Sequence, residues 1–458
     1  MKKLDIINNK FYLVLIGILF FVFWVLGFFT SNTLLIENIA LLTIGIAVLF
    51  CLVFSKNINN IFIFILLVPF MFARPIDPVT IPKMIYVACG CLVVGLIVNY
   101  FKVKPKIKLG ALFYGLIALG LGMILGGINI KSDFRLFQLG IMIFVVTMFL
   151  LVYVYFVSCT EKINFESIAF LMTILGVFIS LQSFCFFLSK EDFMQIIVEK
   201  LLVVGWGVSN NIALMLLFTI PFTFYLFIKN DKVNSIIYLV LVIFQSLILV
   251  FTHSRGGIVA FACELIMMLV TSVIMLRKEK KQVTKALFLY IFGLVSISLS
   301  FVIIYYYNKE YFNKLVNSLK AFNFETLNGR LEVYKDVLSG MDKHLIFGKG
   351  VLFSLFGFEE DGVGSYLWGH STILQTFTTM GIIGTLGLFY HFFEKYYVLL
   401  KKVNYEKMII FLGLFGSGLY GLVDVSYYFI NYMIVLVLIF IMCESYFYNW
   451  KFEKNKLK

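Results

Sequence analysis

The chain has 458 residues, of which 61% are hydrophobic, 18% are aromatic and only 14% are charged. With a mean hydropathy of +0.98, this composition exceeds what the core of a water-soluble protein requires and excludes an ordinary soluble enzyme. The net charge of +13 would point to nucleic acid in a soluble chain, but here the basic excess lies in short loops that also attract anionic lipid headgroups. We therefore expect a membrane protein without a nucleic-acid partner.

Apolar runs long enough to cross a hydrocarbon core of about 30 Å recur along the whole chain. They predict an all-α, polytopic integral membrane protein with about 14 transmembrane helices, in a range of 12 to 14, of which the third and the thirteenth are the weakest. The runs lie near residues 11–30, 34–55, 59–73, 81–101, 109–128, 134–157, 165–188, 207–228, 233–252, 255–276, 286–307, 370–392, 408–424 and 427–449.

The distribution of basic residues predicts the orientation of these spans. An even number of spans puts both termini on one side, and the loops of that side hold 24 of the 38 Lys and Arg residues, with none left in mid-membrane. Because cytoplasmic loops are enriched in Lys and Arg, both termini are expected in the cytoplasm. Near its N-terminus the chain has Lys2 and Lys3 before an apolar run that shows no signal-peptide cleavage pattern. This arrangement is typical of a retained first span.

The chain divides into four predicted parts. N-terminal transmembrane helices cover residues 1–206, and central transmembrane helices with the Ser-Arg-Gly-Gly motif cover 207–307. An extracytoplasmic loop domain covers 308–368, and C-terminal transmembrane helices cover 369–458.

The long loop 308–368 is expected to be folded. Apolar residues at helical spacing predict an amphipathic helix over residues 329–341, with Asn328 as its N-cap and Arg330 in its first turn. The acidic cluster Glu359-Glu360-Asp361 could ligate a cation, but such a run is more typical of a solvated surface. The seven cysteines lie in or beside apolar segments and show no metal spacing. No metal and no cofactor are predicted.

Two of the predicted spans begin with residues that could bind or move charge. The tenth begins near Arg255 and the twelfth near His370, both at the extracytoplasmic side. A helix N-terminus offers free N–H groups and about half a positive charge, and a guanidinium binds phosphate through two hydrogen bonds. With Arg330, these residues predict an anion site, although alone Arg255 could anchor to headgroups and His370 could be an ordinary boundary histidine.

Further residues could support that site. His253 and Ser254 precede Arg255, and Asp424 lies at the expected extracytoplasmic end of the thirteenth span, so all three are candidates for an outer layer of the site. Glu264, inside the tenth span, is expected to face the protein interior because its cost in lipid is high. His344 and His391 are expected to be structural.

Three stretches of the chain resemble the O-antigen polymerase and ligase superfamily of bacterial envelopes. HSRGGIVAF (253–261) is similar to the family's Ser-Arg-Gly-Gly opening of a span, and NGRLEVYKDVLSGMDKHLIFGKG (328–350) to its loop helix followed by a Gly-x-Gly turn. GHSTILQTFTTMGIIGTLGL (369–388) is similar to its His-Asn/Ser-x-x-Leu-Gln stretch, and GLVDVSYYF (421–429) weakly resembles a further element. The resemblance covers roughly residues 240–430.

The resemblance implies a GT-C-like membrane glycosyltransferase, metal-independent and inverting, in the bacterial plasma membrane. Its substrate would be an undecaprenyl-diphosphate-linked glycan, and its other partners membrane lipids and a chain-length regulator. Arg255 and Arg330 would bind the diphosphate, and His370 would deprotonate or orient the acceptor hydroxyl.

Alternatives remain at this point. Within the family, polymerisation of repeat units is favoured over ligase-type transfer of finished polymer to lipid A core, a wall component or protein. A flippase or transporter is less favoured, because such proteins show repeat symmetry and midplane binding groups.

Overall fold

The computed structural model describes residues 5–74, 82–129, 134–307, 309–320, 330–339, 341–351 and 369–448. Most of these residues are helical. The helices are α1 (Lys10–Phe29), α2 (Thr33–Phe54), α3 (Phe62–Leu67), α4 (Met84–Val103), α5 (Phe113–Leu125), α6 (Phe134–Cys159), α7 (Phe165–Leu188), α8 (Phe193–Glu199), α9 (Ser209–Lys229), α10 (Lys232–Phe251), α11 (Arg255–Met275), α12 (Lys280–Tyr307), α13 (Lys309–Lys320), α14 (Arg330–Leu338), α15 (Thr372–Leu400), α16 (Tyr405–Gly421) and α17 (Ile430–Tyr448).

Among the described residues, ten helices are long and apolar enough to cross a membrane. The chain is therefore a multi-pass, helical membrane protein, while the predicted count of fourteen and the GT-C-like architecture stay predictions. The other four predicted spans coincide with a broken segment Ile58–Met71, with the short helix α5, with α12 and with α16.

The broken segment explains why the third predicted span is weak. Two 3₁₀ turns, Ile58–Ile61 and Val68–Met71, flank the six residues of α3. Pro69 lies in the second turn, where its missing N–H and fixed φ do not allow a regular α-helix to continue. Hydropathy detects the apolar run but not this break.

One short element in the described part of the chain is not helical. An antiparallel hairpin pairs β1 (Val203–Val204) with β2 (Gly207–Val208), directly before α9. Trp206 lies in its turn and is fully buried. The all-α prediction thus misses a small hairpin that carries the chain into α9.

The core of the bundle is α9. Of its most apolar stretch 94% is buried, whereas the corresponding share of α4 is 11%. Helices α7, α10, α11 and α16 pack around α9. The peripheral helices expose apolar side chains, as expected where lipid replaces water.

Helix α15 contains a kink at which the long loop attaches. Gly381 has φ 64° and ψ −160° inside the helix, a left-handed value that favours glycine. Backbone bonds from residues 345–350 replace the interrupted helical bonds: Lys349 N–H donates to the carbonyl of Thr378 and Ile382 N–H donates to that of Leu345. The loop and the helix therefore form one hydrogen-bonded unit.

Two buried charged residues test the expectations for the spans. Glu264 in α11 is fully buried against Gly416, so the predicted inward orientation is confirmed. Lys395 was expected in a cytoplasmic loop, and this is wrong. The residue lies inside α15 and is 2% exposed, with its ammonium nitrogen 4.6 Å from the ring centres of both Phe392 and Tyr427. The side-chain nitrogen of Lys395 is thus enclosed by aromatic rings.

Candidate active site

The turn between α16 and α17 holds Asp424, whose carboxylate accepts three hydrogen bonds. Asn210 Nδ2 and the Tyr420 hydroxyl donate to Oδ2, and the N–H of Val425 donates to Oδ1, each over 2.8 Å. Burial alone would raise the pKa of Asp424. The neighbouring His370 ring and the bonds from Tyr420 and Val425 outweigh it, so the pKa lies below the ordinary aspartate value. Asp424 is thus an ionised carboxylate that accepts hydrogen bonds from three different residues.

His370 lies beside this carboxylate, immediately before the start of α15. Its Nδ1 is 3.8 Å from Asp424 Oδ1, within ion-pair range but longer than a hydrogen bond. The backbone of His370 has φ 42°, an uncommon left-handed value for a non-glycine residue. The His370 side chain is 41% exposed and that of Asp424 12%. A substrate can therefore reach the imidazole while the carboxylate stays covered.

Hydrogen bonds of Thr372 tie the first turn of α15 to the Asp424 turn. The Thr372 hydroxyl donates to the backbone carbonyl of Asp424 over 3.1 Å and accepts from the N–H of Ser426 over 2.9 Å. These bonds fix the position of His370, two residues earlier, relative to Asp424. Such support from a second layer is what holds reactive groups in a fixed geometry.

Arg255 begins α11, and the two glycines after it bring the helix close to its neighbours. A Cβ atom on Gly256 would lie 2.6 Å from Val423 Cγ2, and one on Gly257 would lie 2.9 Å from Ala213 Cβ in α9. Glycine permits such close contacts because it has no Cβ. Backbone approach is what the structure shows, and it places Arg255 next to the turn that carries Asp424.

The two residues before Arg255 are buried in the protein interior. His253 and Ser254 are both 2% exposed, and the side chains of Ser254 and Tyr420 are hydrogen bonded. Because Tyr420 also donates to Asp424, Ser254 belongs to a network that runs through Tyr420 and Asp424 toward His370.

Arg330, the first residue of α14, connects the long loop to the same turn. Its Nη1 donates a hydrogen bond to the backbone carbonyl of Val423, the residue before Asp424. The helix predicted over residues 329–341 is observed as Arg330–Leu338. Its predicted N-cap, Asn328, lies outside the described residues, as does the acidic cluster 359–361.

Lys200 is a third basic residue of this site that the sequence analysis missed. It follows α8 with φ 57° and ends that helix. Burial lowers the pKa of Lys200, and the positive charges of Arg255 and Arg330 lower it further, whereas Asp424 raises it. The ammonium group is therefore within electrostatic range of both guanidinium groups. In the sequence it stands in a short loop with no motif around it.

Residues from six separate segments thus meet at one end of the bundle. Each of these residues contacts the turn at residues 422–426 or lies within electrostatic range of it. The residues are Lys200, Asn210, Ser254, Arg255, Arg330, His370, Tyr420 and Asp424. Their predicted roles in binding and catalysis stay predictions. Within the described ranges, no group of three or more His, Cys, Asp or Glu side chains could hold a metal ion.

One segment of the chain, which carries four of these eight residues, matches a known protein family. Residues 237–389 match the O-antigen ligase family. This match, which covers less than half of the chain, supports the resemblance to the O-antigen polymerase and ligase superfamily. No curated protein and no solved structure shows significant similarity to the chain.

The O-antigen ligase segment includes Arg255, Arg330 and His370, whereas Lys200, Asn210 and Asp424 lie outside it. The resemblance thus rests on this one segment, and the helical bundle is consistent with a multi-pass membrane protein. Of the residues outside the segment, Lys200 and Asn210 are identified by the fold alone, whereas the sequence already made Asp424 a candidate.

Proposed function

We propose that this protein is a membrane glycosyltransferase that polymerises undecaprenyl-diphosphate-linked oligosaccharide repeat units. The reaction takes place at the outer face of the bacterial plasma membrane, with both termini in the cytoplasm and loop 308–368 outside. The basic cytoplasmic loops of the predicted topology support this orientation. The product would be an O-antigen, a capsule or another exopolysaccharide, and a chain-length regulator is an expected partner.

The chemistry requires stabilisation of a leaving diphosphate. As the bond between the sugar C1 and the diphosphate oxygen breaks, the electron pair moves onto the diphosphate, whose charge increases. Arg255, Arg330 and Lys200 supply positive charge at that position, and the free N–H groups at the start of α11 add to it. In this proposal the cations need no bound metal.

In this proposal His370 acts on the acceptor hydroxyl. The imidazole accepts the proton of the acceptor hydroxyl while the hydroxyl oxygen bonds to C1 on the face opposite the diphosphate, so the anomeric centre is inverted. Asp424, at 3.8 Å from Nδ1, stabilises the positive charge that the ring acquires.

One observation carries the proposal. The cationic residues and the His370–Asp424 pair converge on a single turn although they are far apart in sequence. A site with cations on one side and a supported imidazole on the other is suited to transfer from a diphosphate to a hydroxyl.

The direct test is incubation of the purified protein with the lipid-linked repeat unit alone. A ladder of product lengths is the expected result. If no ladder appears with or without added acceptors, the glycosyltransferase proposal is rejected. If product appears only with an added acceptor, polymerisation is rejected and ligation is supported.

Ligation is the second candidate function, and the matched family description favours it. The same groups would then transfer finished polymer to lipid A core, a wall component or protein. The two functions differ in the acceptor that reaches His370, so the acceptor dependence of the assay separates them.

A further inference from the structure

The backbone of His370 has a conformation that a residue with a Cβ rarely adopts. Its φ of 42° lies in the left-handed region, where the Cβ atom comes too close to the following carbonyl oxygen. Such a conformation persists only where the surrounding structure fixes it. The ring does not provide this support through Nδ1, which lies 3.8 Å from Asp424 Oδ1 and has no hydrogen-bond partner among the described residues. Hydrogen bonds to the backbone on either side of the ring provide it instead.

Gln375 holds the residue before His370. Its side-chain oxygen Oε1 accepts the N–H of Gly369 over 2.6 Å, and Gln375 is only 1% exposed. The backbone N–H of Gln375 donates to the carbonyl of Ser371 over 2.8 Å, so Gln375 itself is fixed in the first turns of α15. Because a buried N–H that loses its partner is costly, this bond strongly favours the observed path of the backbone through His370.

A second and weaker bond holds the other end of the Gly369–His370 pair. The Tyr334 hydroxyl donates to the carbonyl of His370 over 3.5 Å, which is long for a bond between two oxygens. Tyr334 lies four residues after Arg330 in α14, so both side chains lie on one face of that helix. The N–H of Gly369 and the carbonyl of His370 are thus both held, and the bond to Gln375 is the shorter of the two.

We propose that Gln375 positions His370 for proton transfer. The inference rests on the proposed function, in which the imidazole accepts the proton of the acceptor hydroxyl. Gln375 is almost completely covered, so it acts through the backbone at Gly369 and does not touch the substrate. A general base has to lie within hydrogen-bond distance of the proton that it removes, and a displacement of about 1 Å can lower a rate about a hundredfold.

The first experiment removes the acceptor oxygen of this bond. Gln375→Leu leaves the N–H of Gly369 without its partner, whereas Gln375→Glu keeps an acceptor oxygen in either protonation state. Gln182→Leu is the matched control, because Gln182 is also a buried glutamine of a membrane-spanning helix and its Nε2 donates to the carbonyl of Phe70. Initial rates of glycan transfer by the purified proteins are measured over a range of donor concentrations.

The expected result is a loss of kcat without a loss of donor binding. Gln375→Leu should lower kcat at least about tenfold and leave KM for the donor within about twofold of the unmodified protein. Gln375→Glu should lower kcat less than about threefold, and Gln182→Leu should resemble the unmodified protein. Normal kcat in Gln375→Leu, a loss confined to KM, an equal loss in the control or no recovery in Gln375→Glu would overturn the role of Gln375.

A second experiment observes the imidazole directly and needs no turnover. Cryo-EM structures of the unmodified protein, Gln375→Leu and Gln375→Glu are compared. The His370 ring should move by about 1 Å or more relative to Asp424 in Gln375→Leu and stay in place in Gln375→Glu. A ring that keeps its position in Gln375→Leu would contradict the inference. If Gln375→Leu does not accumulate in membranes, Gln375→Met, which keeps the length of the side chain, takes its place in both experiments.

The two experiments separate the role of Gln375 from the proposed function. If the unmodified protein transfers no glycan but the imidazole moves in Gln375→Leu, the glycosyltransferase proposal fails and the positioning of His370 by Gln375 stands. If transfer occurs and is unchanged in Gln375→Leu, the positioning role fails alone.

Discussion

Replacing Tyr420 with phenylalanine removes one of the three hydrogen-bond donors to the Asp424 carboxylate and leaves the aromatic ring in place. The hydroxyl donates over 2.8 Å to a carboxylate whose side chain is only 12% exposed. A hydrogen bond to a charged group contributes about 1.5–3 kcal/mol. Because the donors from Asn210 and Val425 remain, we expect a contribution at the lower end, about 1.5 kcal/mol.

The sign of the pH effect follows from the bond that is lost. The Tyr420 hydroxyl stabilises the ionised form of Asp424 and helps to keep its pKa below the ordinary value. In Tyr420→Phe the pKa of Asp424 rises, so the carboxylate becomes protonated at a higher pH as the solution is acidified. The acid limb of the pH–rate profile should move to higher pH, while the rate near neutrality should stay close to that of the unmodified protein because Asp424 remains ionised there.

The assay is the initial rate of glycan transfer by purified protein at a series of pH values. Tyr432→Phe is the matched control, since it also removes a buried tyrosine hydroxyl, which bonds to Ser417 over 2.7 Å and does not contact Asp424. If the profile of Tyr420→Phe coincides with that of Tyr432→Phe, the network through Asp424 has no part in the reaction and the reasoning is refuted.

Three further predictions concern the cations and the packing of α11. Arg255→Lys should lower transfer at least about a hundredfold at normal membrane levels, because a lysine cannot form the two parallel bonds of a guanidinium; near-normal transfer would remove Arg255 from the site. Lys200→Met should raise KM for the donor several-fold, whereas Lys200→Arg should keep it near normal in the same transfer assay. Gly257→Ala, whose Cβ would lie 2.9 Å from Ala213 Cβ, should destabilise the fold by about 1–3 kcal/mol and lower the Tm. Gly293→Ala, with nothing within 4 Å, is its control, and equal Tm values would contradict the close packing.

Hydropathy predicted the helices well where a span is regular and long. It could not detect the break around Pro69, because an apolar run looks the same whether one α-helix or two 3₁₀ turns form it. It also placed Lys395 in a loop, because counting charges between apolar runs does not detect that a helix continues past a lysine whose side chain packs against Phe392 of the same helix and Tyr427 of a distant turn.

The candidate site was predictable in part because Arg255, Arg330 and His370 stand at recognisable positions in motifs. Asp424 was included from its place at the end of a span, and the structure brings it to 3.8 Å from His370. Lys200 and Tyr420 had no such signal, since their positions depend on how α8 and α16 pack. The kink at Gly381 depends on backbone bonds with residues 29 to 37 positions earlier in the chain (378 − 349 = 29; 382 − 345 = 37), which no local pattern encodes.

The hydrogen bonds at that kink also determine where the chain can be divided when chimeras with related proteins are made. Because residues 345–350 form backbone hydrogen bonds with residues 378–383, the boundary of an exchangeable module does not coincide with the end of the long loop. A chimera that takes the loop from another protein but keeps residues 378–383 of this chain would combine two hydrogen-bonded segments that come from different proteins. His370 lies between these two segments in the chain. Grafts intended to alter glycan specificity should therefore move residues from the start of α14 through the first turns beyond Gly381 as one piece.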